Sequence, residues 1–250
     1  MKKVRIILVL TLFISFDGFS QISIRDSIVN FSMFSANYSY NVPIGDLVNR
    51  FGANSTVGGK FSYKTNKNWI FEFQGDFIFG NNVKERFGDS IRTSTGDIID
   101  GNGAYADIRT FERGFTFFLR AGKIFPIIGP NKNSGITFTN GFGFMQHKIR
   151  IENPDNVTPQ IAGDYKKGYD RLTNGFAMNQ FIGYTHFGNN RLYSFYIGLE
   201  ITEAWTKNRR SLNFDTKTAD NTSRFDGTCG LKFGWIFPLY KKVPHQYYYN

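Results

Sequence analysis

Eight runs in which large apolar residues alternate with small or polar ones, the length of those runs, and connectors that are by turns short and long predict an all-β chain: an eight-stranded antiparallel transmembrane up-and-down β-barrel with long outer loops. Several runs extend over 10 to 14 residues, whereas strands of soluble sheets have about 5 to 6 and a tilted membrane strand needs about 9 to 11. After residue 21 no stretch of 18 apolar residues occurs, so helical spans are not expected.

Taken in chain order, the strands are expected at 35–42, 55–64, 69–80, 114–123, 136–150, 174–187, 193–203 and 225–237. In the second, Val57, Gly59, Phe61 and Tyr63 share one face and Lys60 lies on the other. The third is the most regular: Trp69, Phe71, Phe73, Phe77 and Phe79 share a face with Gly75, opposite Ile70, Glu72, Gln74, Asp76 and Ile78. The fourth sets Phe115, Phe117, Leu119 and Ala121 against Thr116, Phe118, Arg120 and Gly122. The seventh sets Tyr193, Phe195, Ile197, Leu199 and Ile201 against Ser194, Tyr196, Gly198, Glu200 and Thr202, and the eighth sets Phe225, Cys229, Leu231, Phe233, Trp235 and Phe237 against Asp226, Thr228, Gly230, Lys232, Gly234 and Ile236. The first, fifth and sixth are less regular.

Residues 1–20 read as an export signal. Lys2, Lys3 and Arg5 precede the apolar run 6–16, and Gly18 and Ser20 stand before a cut at Gln21. Eleven apolar residues rise only about 16 Å as a helix, too little for a bilayer core of about 30 Å. The mature part, 21–250, is then one barrel domain with strands over about 35–237 and a tail at 238–250. Removing three Lys/Arg and one Asp with the signal takes the formal charge from +10 to +8. In an exported chain that excess does not imply nucleic acid.

The short connectors 65–68, 124–135 and 188–190 alternate with the longer 43–54, 81–113, 151–173 and 206–222. With an even strand count, both termini and the short turns fall on the periplasmic side and the long loops outside. Lys64, Lys67, Lys123, Lys132, Arg191, Lys241 and Lys242 then form a basic periplasmic rim without Asp or Glu in those turns. Such a rim would meet phospholipid headgroups or an acidic partner, or simply be solvated.

In hydrocarbon every backbone N–H and C=O needs an internal partner, so a spanning sheet must close on itself. Closure puts Lys60, Glu72, Asp76, Arg120, Glu200 and Lys232 inside as a charge network of three cations and three anions. Eight strands leave an interior that side chains can just fill. A water-soluble barrel or sandwich with the aromatic faces buried is the competing architecture, and the Gly, Ser and Thr on the charged faces suit a narrow lumen better. Trp69, Trp235 and Phe237 near the periplasmic ends, with Trp205 near an outer end, fit interfacial girdles.

No catalytic, cofactor-binding or metal-binding motif emerges. His147, His186 and His245 lack ligand spacing, and Cys229, the single cysteine, has lipid-facing phase. His147 has inward phase near an outer end, as a hydrogen-bonding lumen residue or, alternatively, the base of a lipid-modifying enzyme. The stretch 43–52, PIGDLVNRFG, spaces Ile44, Leu47, Val48 and Phe51 for a short helix at the barrel mouth. The stretch 163–175, GDYKKGYDRLTNG, reads as an outer contact loop or a strand extension, and GPNKNSG at 129–135 as a turn without a phosphate loop.

The ending FSQ of the signal, the eight alternating strands, and segments such as YKTNKNWIFEFQGDFIFGNNVKE and HKIRIENPDNVTPQIAGDYKKGYDRLTNG resemble small outer-membrane β-barrel proteins of the Bacteroidota type. The resemblance implies a Gram-negative outer-membrane location. For some members it implies an accessory role in gliding motility or type IX secretion. The expected function is a non-enzymatic barrel that anchors or assists envelope or secretion partners, in contact with outer-membrane lipids and a periplasmic or outer-membrane protein. The alternatives are a lipid-modifying enzyme and a narrow channel.

Overall fold

The computed structural model describes residues 27–154, 157–188 and 191–239. The expected export signal, most of the expected tail, His245, Lys241 and Lys242 lie outside the described residues, as does the side chain of Arg191. Eight strands follow one another: β1 (Phe31–Gly45), β2 (Asn54–Lys64), β3 (Trp69–Gly80), β4 (Arg109–Phe125), β5 (Gly135–Glu152), β6 (Thr173–His186), β7 (Phe195–Asn208) and β8 (Ser223–Leu239). Each pairs antiparallel with its sequence neighbours, and β8 closes on β1 from Ser32↔Leu239 to Gly45↔Asp226.

The pairings also give the shear. Starting at Phe34, the partners run Phe61, Phe73, Leu119, Phe142, Met178, Glu203 and Gly227, and return to β1 at Ile44. One circuit therefore climbs ten residues along β1, from Phe34 to Ile44. For eight strands that stagger corresponds to a tilt of about 40°, so each residue advances about 2.5 Å along the barrel axis.

Alternation sets which side chains face out. Along β7, Phe195, Ile197, Leu199, Ile201 and Trp205 are exposed, with the half-buried Glu203 the one charge between them on that face, while Tyr196, Glu200 and Thr202 are buried. Phe195 to Trp205 is ten residues, as is Trp69 to Phe79 on β3. Ten residues cover about 25 Å along the axis, the height of the apolar band of a membrane barrel. Trp69, Trp235 and Phe237 lie at its short-turn edge and Trp205 at its long-loop edge, all about half exposed. An edgeless sheet carrying this belt and a polar inside is an outer-membrane barrel.

The strands are mostly longer than the alternation alone suggests. β1 begins at Phe31 and β8 ends at Leu239, so the barrel extends beyond 35–237 and takes the first two residues assigned to the tail. β4 starts at Arg109, which shortens the expected 81–113 loop. Conversely, Tyr193 lies in a short 3-10 helix, Arg191–Tyr193, before β7. These end segments lack clean alternation; their pairing partners on neighbouring strands hold them in the sheet.

Candidate functional site

The interior is filled in layers. At the short-turn end Phe31, Met33, Ile70, Ile124, Phe181, Phe187, Tyr196 and Ile236 form an apolar plug. Phe31 meets Phe187 edge to face at 5.2 Å, and Phe181 meets Tyr196 at 5.6 Å. The Tyr196 ring fits because residue 234 is glycine, where a Cβ would stand 2.2 Å from ring carbons.

Above the plug lies the charged layer. All six residues placed in the lumen by phase, Lys60, Glu72, Asp76, Arg120, Glu200 and Lys232, are buried and joined. Arg120 donates from Nε to Glu72 Oε2 at 2.9 Å, and from Nη1 to Asn179 Oδ1 at 2.7 Å and Glu200 Oε2 at 3.0 Å. Lys60 reaches Glu72 Oε1 at 2.7 Å and lies 3.9 Å from the centre of the Tyr196 ring. Lys232 bridges Asp76 at 2.9 Å and Glu200 at 2.8 Å. The pairs span β2, β3, β4, β7 and β8, so the layer ties strands together across the barrel. Beyond it a cavity of about 20 Å³, lined by Asn41, Thr56, Asp76, Thr116, Thr202 and others, has room for about one water.

Further out His147 is fully buried, with Nε2 2.9 Å from Asp226 Oδ2, an oxygen that also accepts from Thr206 Oγ1 at 2.5 Å. Phe51 stands edge-on over the imidazole at 5.6 Å. A bilayer lipid cannot reach this nitrogen. The inward phase read for His147 is observed, in the setting of a packed lumen hydrogen bonder. Among the described residues no three His, Cys, Asp or Glu side chains converge to hold a metal.

The outer mouth is closed by the loops themselves. In the 43–52 stretch the helical spacing yields one 3-10 turn, Asp46–Asn49, which drives Leu47 and Phe51 into the mouth, both fully buried. In the 163–175 stretch the last three residues, Thr173 to Gly175, open β6, and the rest folds onto the mouth with Tyr165 exposed. Gly163–Gly168 forms a 3-10 helix, Tyr169 packs on Phe87 and Phe214, and Arg171 turns inward. Arg50 and Arg171 converge on Glu85, at 2.7 and 3.0 Å, and Arg171 also holds Asp215 at 2.8 Å. Arg50 donates in addition to Thr173 Oγ1 and the Arg171 carbonyl, both at 3.0 Å. Those four charged residues come one from each of the four long connections. The loops therefore form one cap, a feature that no local pattern in the sequence announces, because each contact joins segments 35 or more residues apart.

Glu85 is the shared acceptor. Glu85→Ala leaves two arginines without it and is expected to loosen the cap by about 1.5 kcal/mol, allowing for partial solvent access. Limited trypsin digestion of the folded barrel should then cut the outer loops about tenfold faster, with the strands protected.

The proposed basic rim dissolves in part. Lys64 is a correction: it is fully buried, and its Nζ donates to Asn133 Oδ1 at 2.8 Å and the Val29 carbonyl at 3.1 Å. The alternation that sends Lys60 inward sends Lys64 inward too, and proximity to a turn in sequence misplaced it. The 129–135 turn folds across the barrel end, with Asn131 donating to the Phe187 carbonyl at 2.7 Å. Lys67 and Lys132 are exposed there, and Lys123 faces outward near the rings of Trp69 and Phe125. The same end exposes Ile127 and Ile128, which the sequence reading did not single out.

No family model and no curated protein matches the chain. Among solved structures it is similar to Ail, the attachment invasion locus protein of Yersinia pestis, in a complex with the heparin analogue sucrose octasulfate: TM-score 0.44, 13% identity, 83% of this chain and 99% of that one. It is similar to the N-terminal β-barrel domain of Pseudomonas aeruginosa OprF, with TM-score 0.38, 11% identity, and 84% and 100% of the two chains. The outer membrane protein OprG from Pseudomonas aeruginosa gives TM-score 0.34, 13% identity, and 85% and 98%. The fold stated above rests on the ring of strand pairings.

Proposed function

We propose that this chain is a non-enzymatic outer-membrane barrel that anchors or assists envelope or secretion partners through its outer cap. The observation that carries the reading is the ion-paired knot of Arg50, Glu85, Arg171 and Asp215, which fastens the loops into one surface. A preorganised surface binds with little ordering cost. The sealed interior weighs against a channel: the apolar plug, the charged layer and the cap lie in series along the same axis. The burial of His147 under Phe51 weighs against lipid chemistry at that residue. The sequence resemblance to Bacteroidota barrels makes gliding or type IX secretion machinery a setting for such an accessory. The exposed short-turn lysines Lys67 and Lys132 are a smaller surface for a periplasmic partner.

A photo-crosslinking residue placed at Tyr105 or Tyr165, both exposed on the cap, tests this in intact cells at native expression. A discrete protein adduct from the cap positions, and none from Leu199 in the lipid belt, is expected. Recovery of the barrel alone from every position would overturn the anchor reading.

A further inference from the structure

The outward face of β4–β7 changes character at the long-loop edge of the apolar belt. Across these strands Phe117, Phe144, Phe176 and Trp205 are successive pairing partners, with Phe225 next on β8, forming a sloping aromatic row. The next outward partners are Phe115, Gln146, Asn174, Lys207 and Ser223. Beyond them Arg113 pairs with Lys148, Phe111 with Arg150, and Arg209 follows the end of β7.

Five cations, Arg113, Lys148, Arg150, Lys207 and Arg209, thus stand just outside the belt on one side of the barrel. Glu152 pairs with Arg150 at 2.8 Å and its charge also reaches Arg113, and Asn174 Oδ1 accepts from Arg209 Nε at 2.6 Å. Lys148 and Lys207 make no ion pair among the described residues. On the other side the outward residues at the same edge, Val42, Ile44, Ser55 and Phe79, carry no charge. Clustering like charges at a membrane interface is unfavourable unless anions lie beside them.

We propose that this face binds a phosphorylated glycolipid of the outer leaflet, with the cations holding its phosphates and the aromatic row packing its acyl chains. Two features select that lipid over a phospholipid. The cations lie two to six residues beyond Phe115, Phe144 and Trp205 in their own strands, a spread of about 5 to 15 Å along the axis at about 2.5 Å per residue. A single phosphate covers one height, whereas phosphates set on a saccharide cover several. Gln146 and Asn174, joined at 3.2 Å, offer amides between the aromatic row and the charges, where sugar hydroxyls would lie. Arginine and lysine supply charge-assisted hydrogen bonds to phosphate. The site lies on the barrel wall and is independent of any partner on the cap.

Native mass spectrometry of the full barrel in detergent tests it, with diphosphoryl lipid A, dephosphorylated lipid A and phosphatidylglycerol as probes. The wild type is expected to retain diphosphoryl lipid A at least about tenfold better than either other lipid. Lys148→Gln, Arg150→Gln, Lys207→Gln and Arg209→Gln combined should abolish that preference. Lys67→Gln with Lys132→Gln, at the opposite end, should leave it intact. Heat-modifiable migration on gels checks that each variant is folded, and single replacements serve if the combined one is not. Equal retention by wild type and outer-face variants would overturn the proposal, as would equal retention of phosphatidylglycerol.

Discussion

Arg120→Ala is expected to destabilise the folded barrel by about 3–5 kcal/mol, the usual consequence of removing one partner from a buried ionic network. Arg120 has no solvent exposure and holds both Glu72 and Glu200. Glu72 keeps Lys60 and Glu200 keeps Lys232, so neither acid is wholly abandoned, but each loses its guanidinium in a space with no bulk water. The neighbouring cavity of about 20 Å³ admits about one water and cannot replace the lost hydrogen bonds. Urea unfolding in lipid vesicles, followed by tryptophan fluorescence, measures the change. Glu72→Gln should cost less in the Arg120→Ala background than alone, giving a coupling of about 1 kcal/mol or more. Unfolding midpoints unchanged in both single variants would show that the layer is not what holds these strands together.

Leu199→Arg is the second large effect, expected to cost about 2–4 kcal/mol in a bilayer. Leu199 lies four residues from Phe195 and six from Trp205 on β7, close to the middle of the belt, and is 52% exposed in the isolated molecule. Arginine there must leave water for hydrocarbon. Ser223→Arg, an outward position paired with Lys207 beyond the girdle, should cost no more than about 1 kcal/mol. The contrast between the two positions is the informative quantity. If the outward face met water, both substitutions would lie within about 0.5 kcal/mol of wild type. Both variants are read by the same vesicle unfolding assay, and equal small changes would refute a lipid-facing belt.

The six lumen charges were legible in the sequence because a strand has only two sides. Once Phe71 and Phe73 face lipid, Glu72 must face inward, and the same step places Arg120 between Leu119 and Ala121. The step works wherever alternation is clean, as along β3, β7 and β8. The same step places Lys64 inward, where it is buried against Asn133, although its nearness to a turn suggests the rim. It weakened at strand ends, where 109–113 and 31–34 join the sheet through their partners on β5, β2 and β8.

The outer loops gave less. Apolar spacing at Leu47 and Phe51 indicated a turn of helix near the mouth, yet nothing local revealed that Arg50 would meet Glu85 and the carbonyl of Arg171, 121 residues away. Nor did it show that Asp215 from the last long loop would bind Arg171. The outer basic face was hidden for the same reason: Arg113, Lys148 and Lys207 become neighbours only when β4 to β7 align. The sequence by itself determined the strand phases, and with them which side chains face lipid and which face the lumen, because backbone geometry repeats every two residues. Only the tertiary structure decided the partners, the seal at both ends and the grouping of charge around the wall, because strand register and loop packing join residues that no local period relates.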